Sequence, residues 1–190
     1  MEGEKFVSGS FHADNVAPII FGGITLVRTI RELDVVSLPI PKDLEMIVIR
    51  PNIEIKTADS RKVVKKKVKI EKMTQQSANL GSFVSSLYSE DYDLMSRSVI
   101  DQVVEPDRAF LIPEFDNIKR ISKNSGSIAV GISGSGPSIF SLSNNRITSN
   151  KVLESISQHY SSMDIEHDVF ISKVNNDGIK IIETKWNMLV

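Results

Sequence analysis

A chain of 190 residues with 41% apolar and 25% charged side chains can bury one sizeable core or two small ones, and is too apolar for a disordered chain. Its formal net charge of -1 excludes the basic excess of a general nucleic-acid or anionic-membrane binder. With no cysteine it has neither a disulfide framework nor a thiolate metal site, and no apolar run has the length of a membrane span. The opening MEGEKFVSGS is neither a signal peptide nor a transit sequence, so the expected setting is soluble and cytoplasmic.

The first informative stretch is FHADNVAPIIFGG, Phe11 to Gly23. Asp14 or Asn15 can cap a helix through a side-chain oxygen, and Pro18 suits the early turns. Val16, Ala17, Ile19, Ile20 and Phe21 would face inward, and Gly22–Gly23 would end the helix. A cap needs one polar residue, so His12 and one of Asp14 and Asn15 are left without a role. ITLVRTI and LDVVSLPI read as strands around a turn at Arg31–Glu32. Pro39 and Pro41 then mark a boundary near Lys42, dividing the chain into residues 1–42 and 43–190.

LEMIVIRP reads as a buried strand and Thr57 to Lys67 as a short helix. The lysine run Arg61 to Lys72 reads as a solvated helix face, with Val63, Val64, Val68 and Ile70 inward. It carries no interleaved aromatic on which bases could stack. Met73 to Leu87 and Tyr92 to Val103 read as helices, and Pro113 opens another containing Phe115, Ile118 and Ile121. SIAVGISGSGPSIFSLS reads as strand, glycine loop and strand, followed by an amphipathic helix over Asn150 to Tyr160. HDVFISKV and GIKIIE close the chain as strands. The mixture predicts an α+β fold.

Three stretches in the second part carry candidate chemistry. GISGSGPSIF, Gly131 to Phe140, is equally a hairpin turn or a loop whose backbone can approach a ligand. It is neither a P-loop nor a dinucleotide fingerprint, because no lysine or helix follows as those require. In EPDRAFLIPEF, Arg108 stands at the edge of an apolar run, where it can pack along its stem or offer its planar fork to a carboxylate or phosphate. In KTADSRK, Thr57 and Arg61 share one face if the segment is helical.

HADNVAP, TxxxR, EPxR…LIP and SGxGP occur in this order, and together they resemble the homoserine kinases of the GHMP small-molecule kinase superfamily. The resemblance runs from Glu4 to near Gly178. It implies transfer of the γ-phosphate of ATP to the side-chain hydroxyl of L-homoserine, with Mg²⁺, on the route to threonine. It implies the tail of an S5-like N-terminal lobe in residues 1–42 and a ferredoxin-like GHMP kinase C-terminal lobe in residues 43–190. By matched motif, His12, Asp14 and Asn15 face the amino acid, with Asp14 taking its ammonium and Asn15 as the catalytic residue. Thr57, Arg61 and Arg108 belong to the same pocket, the arginines meeting the carboxylate. Gly134 and Gly136 shape its floor, and Glu4 is the magnesium ligand. Elementary chemistry agrees: a zwitterion needs an acid and a guanidinium, and phosphoryl transfer then needs alignment and charge neutralisation.

The family's phosphate loop, P-x-x-x-G-L-G-S-S-A, should precede Glu4 and is absent from these residues. The chain is therefore expected to be the C-terminal portion of such a kinase, inactive by itself, with no ATP-phosphate contact of its own. L-homoserine and ATP are its expected ligands, neither nucleic acid nor membrane is a partner, and a homodimer or a missing N-terminal half completes it. Ser135 and Ser138 stand where the family often has Ala and Thr. The alternative is a non-catalytic amino-acid-binding remnant or split subunit. A GHMP kinase for another small alcohol is disfavoured by HADN with Arg61 and Arg108.

Overall fold

The computed structural model describes residues 13–182. They divide into two compact units, residues 13–39 with 175–182, and residues 40–174. The closing segment from Asn175 on groups with the N-terminal residues.

The first unit contains α1 (Val16–Phe21) and a hairpin of β1 (Ile24–Thr29) and β2 (Asp34–Leu38), as their β-branched runs predict. The strands are antiparallel, with Ile24 opposite Leu38 and Leu26 opposite Val36. An Arg28–Asp34 ion pair spans the turn end. Two expectations fail here. Ala17 is buried, but Ile19 is 64% exposed and Phe21 52% exposed, so α1 does not bury the predicted face. The described part of GIKIIE, residues 178–182, is not a strand. Both follow from one close backbone approach: Gly23 N–H donates to the Asn175 carbonyl at 2.8 Å, and Ile179 N–H to the Ile20 carbonyl at 3.1 Å. A Cβ on Gly22, at φ 74°, would lie 2.5 Å from the Asn176 oxygen. The end of α1 is thus packed by main chain, and residues after Gly178 pair with a helix end instead of a ladder.

The second unit runs β3 (Glu45–Pro51), α2 (Thr57–Lys62), α3 (Ile70–Ser89), α4 (Tyr92–Ser98) and α5 (Glu105–Arg108). A 3-10 turn (Ala109–Leu111) leads to α6 (Phe115–Asn124), β4 (Ala129–Ile132), β5 (Ile139–Ser143), α7 (Arg146–Ser162) and β6 (His167–Lys173). The four strands lie in the order β4-β5-β3-β6 with every neighbour antiparallel. Strand, helices, two strands, helix and strand in that order are the split βαβ arrangement of ferredoxin-like folds. The α+β expectation holds. No helix among the described residues is long and apolar enough to cross a membrane.

Alternation builds the core. On β3, Glu45, Ile47, Ile49 and Pro51 are buried, while Arg50 is exposed. Ile47 and Ile49 join Val130 and Ile139 from the sheet, Ile118 from α6, and Val152, Ile156 and Tyr160 from α7. Two carboxylates of this unit are buried, Glu45 and Asp107. Glu45 accepts from Ser149 Oγ at 2.7 Å and pairs with Arg146 at 3.1 Å. Such pairing is what makes a buried carboxylate tolerable.

Helix boundaries depart from the sequence reading where side chains compete with the helix. Residues 63–69 are irregular, so the lysine run is not a helix face, and Ile70 is 73% exposed. The expected helix to Val103 stops at Ser98, because Asp101 accepts from the amides of Val103, Val104 and Glu105 at 2.7, 2.9 and 3.0 Å. That carboxylate starts α5 instead of continuing α4.

The core makes a direct prediction. Ile49→Ala, at a fully buried site, should destabilise the chain by about 2–5 kcal/mol in urea titration. Ile70→Ala should change stability by less than about 0.5 kcal/mol.

Candidate functional site

α5 is four residues long, and its last two side chains diverge. Arg108 donates from Nε to the Ser60 carbonyl and from Nη1 to the Gly134 carbonyl, both at 3.1 Å. Ser60, fully buried on α2, donates from Oγ to the Ser135 carbonyl at 2.8 Å. Two side chains therefore tie three stretches together: α2, α5 and the glycine loop between β4 and β5. The loop closes on itself as a turn, Ser133 N–H donating to the Ser138 carbonyl at 2.8 Å and Gly136 N–H to the Ser133 carbonyl at 3.0 Å. Gly134 and Gly136 take φ of 59° and 80°, the left-handed region. A Cβ on Gly136 would also press within 3.1 Å of Ile112 Cδ1.

Arg108 is half-buried, and with Nε and Nη1 committed to carbonyls, Nη2 is left to meet a ligand oxygen. It borders a cavity of about 270 Å³ whose other walls include Asn79, Phe83, Glu105, Gly134 and Phe140. The cavity wall is mainly apolar, and a guanidinium at its edge suits a carboxylate or phosphate oxygen. Glu105 is paired with Lys119 and so is not a loose counter-charge for Arg108.

Asp107 turns the other way. It accepts from the Lys65 ammonium and from the Lys65 amide, each at 2.9 Å. These bonds, the ammonium first and then the amide, hold its carboxyl below the usual carboxylate range. They also fix the irregular segment that follows α2.

The structure gathers part of the expected set. Thr57 opens α2 and Arg61 is half-buried beside Ser60 on the same helix, so both sit on the element that Arg108 and Ser60 join to Gly134 and Ser135, in the loop that also holds Gly136. Asp14 and Asn15 are exposed in the first unit. Asn15 occupies the N-cap position of α1, yet its side chain makes no cap bond, so simple capping does not account for it. Glu4 and His12 lie outside the described residues. Among the described residues no group of three or more acidic or histidine side chains is arranged to hold a metal ion, so no described set accompanies the magnesium expected at Glu4.

Sequence reasoning missed Ser60, Asp101 and the Lys65–Asp107 pair. Ser60 stood inside the KTADSRK motif, directly before Arg61, and its position was the available signal. The other two depend on which distant amide each carboxylate meets, which no local pattern displays.

Residues 83–162 match the family model described as GHMP kinases C terminal. The chain is 37% identical over 184 residues to a homoserine kinase of Chlorobium phaeobacteroides, covering 96% of this chain and 58% of that protein. It is 37% identical over 186 residues to the homoserine kinase of Chlorobaculum tepidum, covering 97% and 57%. In structure it is similar to the homoserine kinase from Cytophaga hutchinsonii, with a TM-score of 0.91 and 41% identity over 94% of this chain and 56% of that one. The L. major mevalonate kinase, 13% identical with a TM-score of 0.65, shares the fold. The chain thus spans somewhat over half the length of the homoserine kinases it matches.

Two measurements probe this geometry. Ser60→Ala leaves the Ser135 carbonyl without its donor and should cost about 1–3 kcal/mol in denaturant titration. The Lys65 amide resonance should hold steady above about pH 4, the ordinary aspartate value, and move as the pH falls through the lower Asp107 pKa. The stability that Asp107 contributes follows the same course, present above the unfolded value and lost in acid. Asp107→Asn should abolish both responses.

Proposed function

We propose that this chain, which carries a GHMP kinase C-terminal domain, belongs to a homoserine kinase that phosphorylates L-homoserine to O-phospho-L-homoserine with ATP. One observation carries the reading beyond sequence likeness: Arg108 and Ser60 link the TxxxR helix, the EPxR turn and the SGxGP loop, which are far apart in sequence. On this reading the four-stranded unit is the C-terminal lobe and the hairpin unit is the tail of an S5-like N-terminal lobe.

Arg108, already oriented by two carbonyls, presents its remaining N–H groups to the substrate carboxylate, and Arg61 joins it. Thr57 offers a hydroxyl at the start of the same helix. The matched motif assigns the substrate ammonium to Asp14, substrate contact to His12 and Asn15, and the catalytic role to Asn15. Gly134 and Gly136 let main chain approach where a side chain would intrude. Phosphoryl transfer through a loose transition state asks for alignment and charge neutralisation more than for a strong base. Mg²⁺, with Glu4 as the residue that would hold it, supplies neutralisation of phosphate charge. A guanidinium held for a carboxylate also rejects an alcohol that lacks one, because the fork would be left unpaired.

Titration of the 190-residue chain with L-homoserine, followed by amide resonances, tests this. We expect saturable shifts in residues 57–62 and 133–137, and an affinity loss of about tenfold or more in Arg61→Ala. Homoserinol, which lacks the carboxylate, should give no such shifts. An equal response to mevalonate, or none to homoserine, would overturn the reading. The alternative is an amino-acid-binding module without catalysis, to which the same oriented Arg108 would belong. Homoserine binding by the intact gene product, without homoserine-dependent ADP release from ATP and Mg²⁺, would select it.

A further inference from the structure

The lysine run has a use that the carboxylate site does not draw on. The irregular segment after α2 and the turn before α5 enclose a recess of about 280 Å³, lined by Lys65, Lys67, Lys69, Lys72, Gln102 and Asp107 among others. Lys65, Lys67 and Lys69 reach it from the irregular segment, and Lys72 from the first turn of α3. Val63 and Val64 are half-buried, Val68 lines the recess beside the lysines, and Asp107 holds the Lys65 amide at 2.9 Å. Asp107 offsets the Lys65 ammonium at 2.9 Å. Among the described residues no carboxylate is ion-paired with Lys67, Lys69 or Lys72, and Glu71 on the same stretch is exposed without an ion pair to them.

We propose that this recess binds a small ligand carrying two or more phosphate charges, with inorganic diphosphate as its simplest form. Like charges gathered in a concave site focus a positive potential, and a multivalent anion is what relieves it. Ammonium groups on flexible stems suit phosphate oxygens as point charges with several donors each. The volume lies just below the roughly 300–1,000 Å³ of drug-sized ligand pockets, which bounds the ligand to a small one. No aromatic side chain lines the recess, so it offers a nucleobase no stacking platform. The site is distinct from the carboxylate site. Asp107 faces the recess, whereas the next residue, Arg108, faces Ser60 and Gly134.

Calorimetric titration of the 190-residue chain with sodium diphosphate at low ionic strength tests the proposal without any kinase assay. We expect one saturable site whose affinity falls about tenfold or more in the triple variant Lys67→Gln, Lys69→Gln, Lys72→Gln. A control triple at exposed remote positions, Lys42→Gln, Lys151→Gln and Lys173→Gln, removes the same charge and should change affinity by less than about twofold. A parallel titration with ADP separates sources. Equal affinity assigns a free diphosphate or phosphorylated metabolite, and tighter binding lost in the first triple assigns a nucleotide's phosphate tail. No saturable diphosphate binding, or equal losses in both triples, overturns the proposal. Circular dichroism confirms that each variant folds, and a Lys→Arg triple at the recess positions should retain binding.

Discussion

The guanidinium of Arg108 is the junction on which the candidate site depends. Its two carbonyl bonds, to Ser60 and to Gly134, cross from one short helix to another and to a turn. None of these elements could hold its place alone. Four- and six-residue helices are too short to be stable from propensity, so tertiary contacts must fix them. The hydroxyl of Ser60, bonded to the Ser135 carbonyl, closes the second side of the same junction. An arginine is suited to this double duty because its fork has donors in several directions, so it can organise main chain and still face a ligand. Lysine at the same place would offer one nitrogen and no fork.

The sheet supplies the rigid base for that junction. β4 and β5 are paired from Ala129 opposite Leu142 to Ile132 opposite Ile139, and the glycine loop is the turn that joins them. Ile139, Val130 and their neighbours lock these strands into the core. The Asp101 carboxylate, by gathering three amides, decides where α5 begins and hence where Arg108 lies. Asp107 and Arg108 then divide the surroundings of α5, one anchoring a lysine-rich segment and the other the glycine loop.

Much of this was legible in the sequence. Among the described residues six strands lie where β-branched and apolar runs placed them, and the motif residues Thr57, Arg61, Arg108, Gly134 and Gly136 lie on elements the structure joins. Local periodicity reads a buried face well because burial repeats with the backbone. It failed where a single side-chain bond overrides propensity, as at Asp101, and where main chain packs on main chain, as at Gly22. It failed again at Arg61 to Lys72, where charge pattern suggested a helix face and the Asp107–Lys65 bonds impose a loop. Ser60 shows the remaining limit. Its residue type is unremarkable, and its role comes from a partner in the glycine loop.

The most direct measurement is a crystal structure of the chain with L-homoserine bound. The account predicts that the ligand carboxylate lies within hydrogen-bond distance of Arg108 while Arg108 keeps its bonds to the Ser60 and Gly134 carbonyls. A carboxylate held elsewhere, or an Arg108 side chain that abandons both carbonyls when the ligand binds, would contradict it.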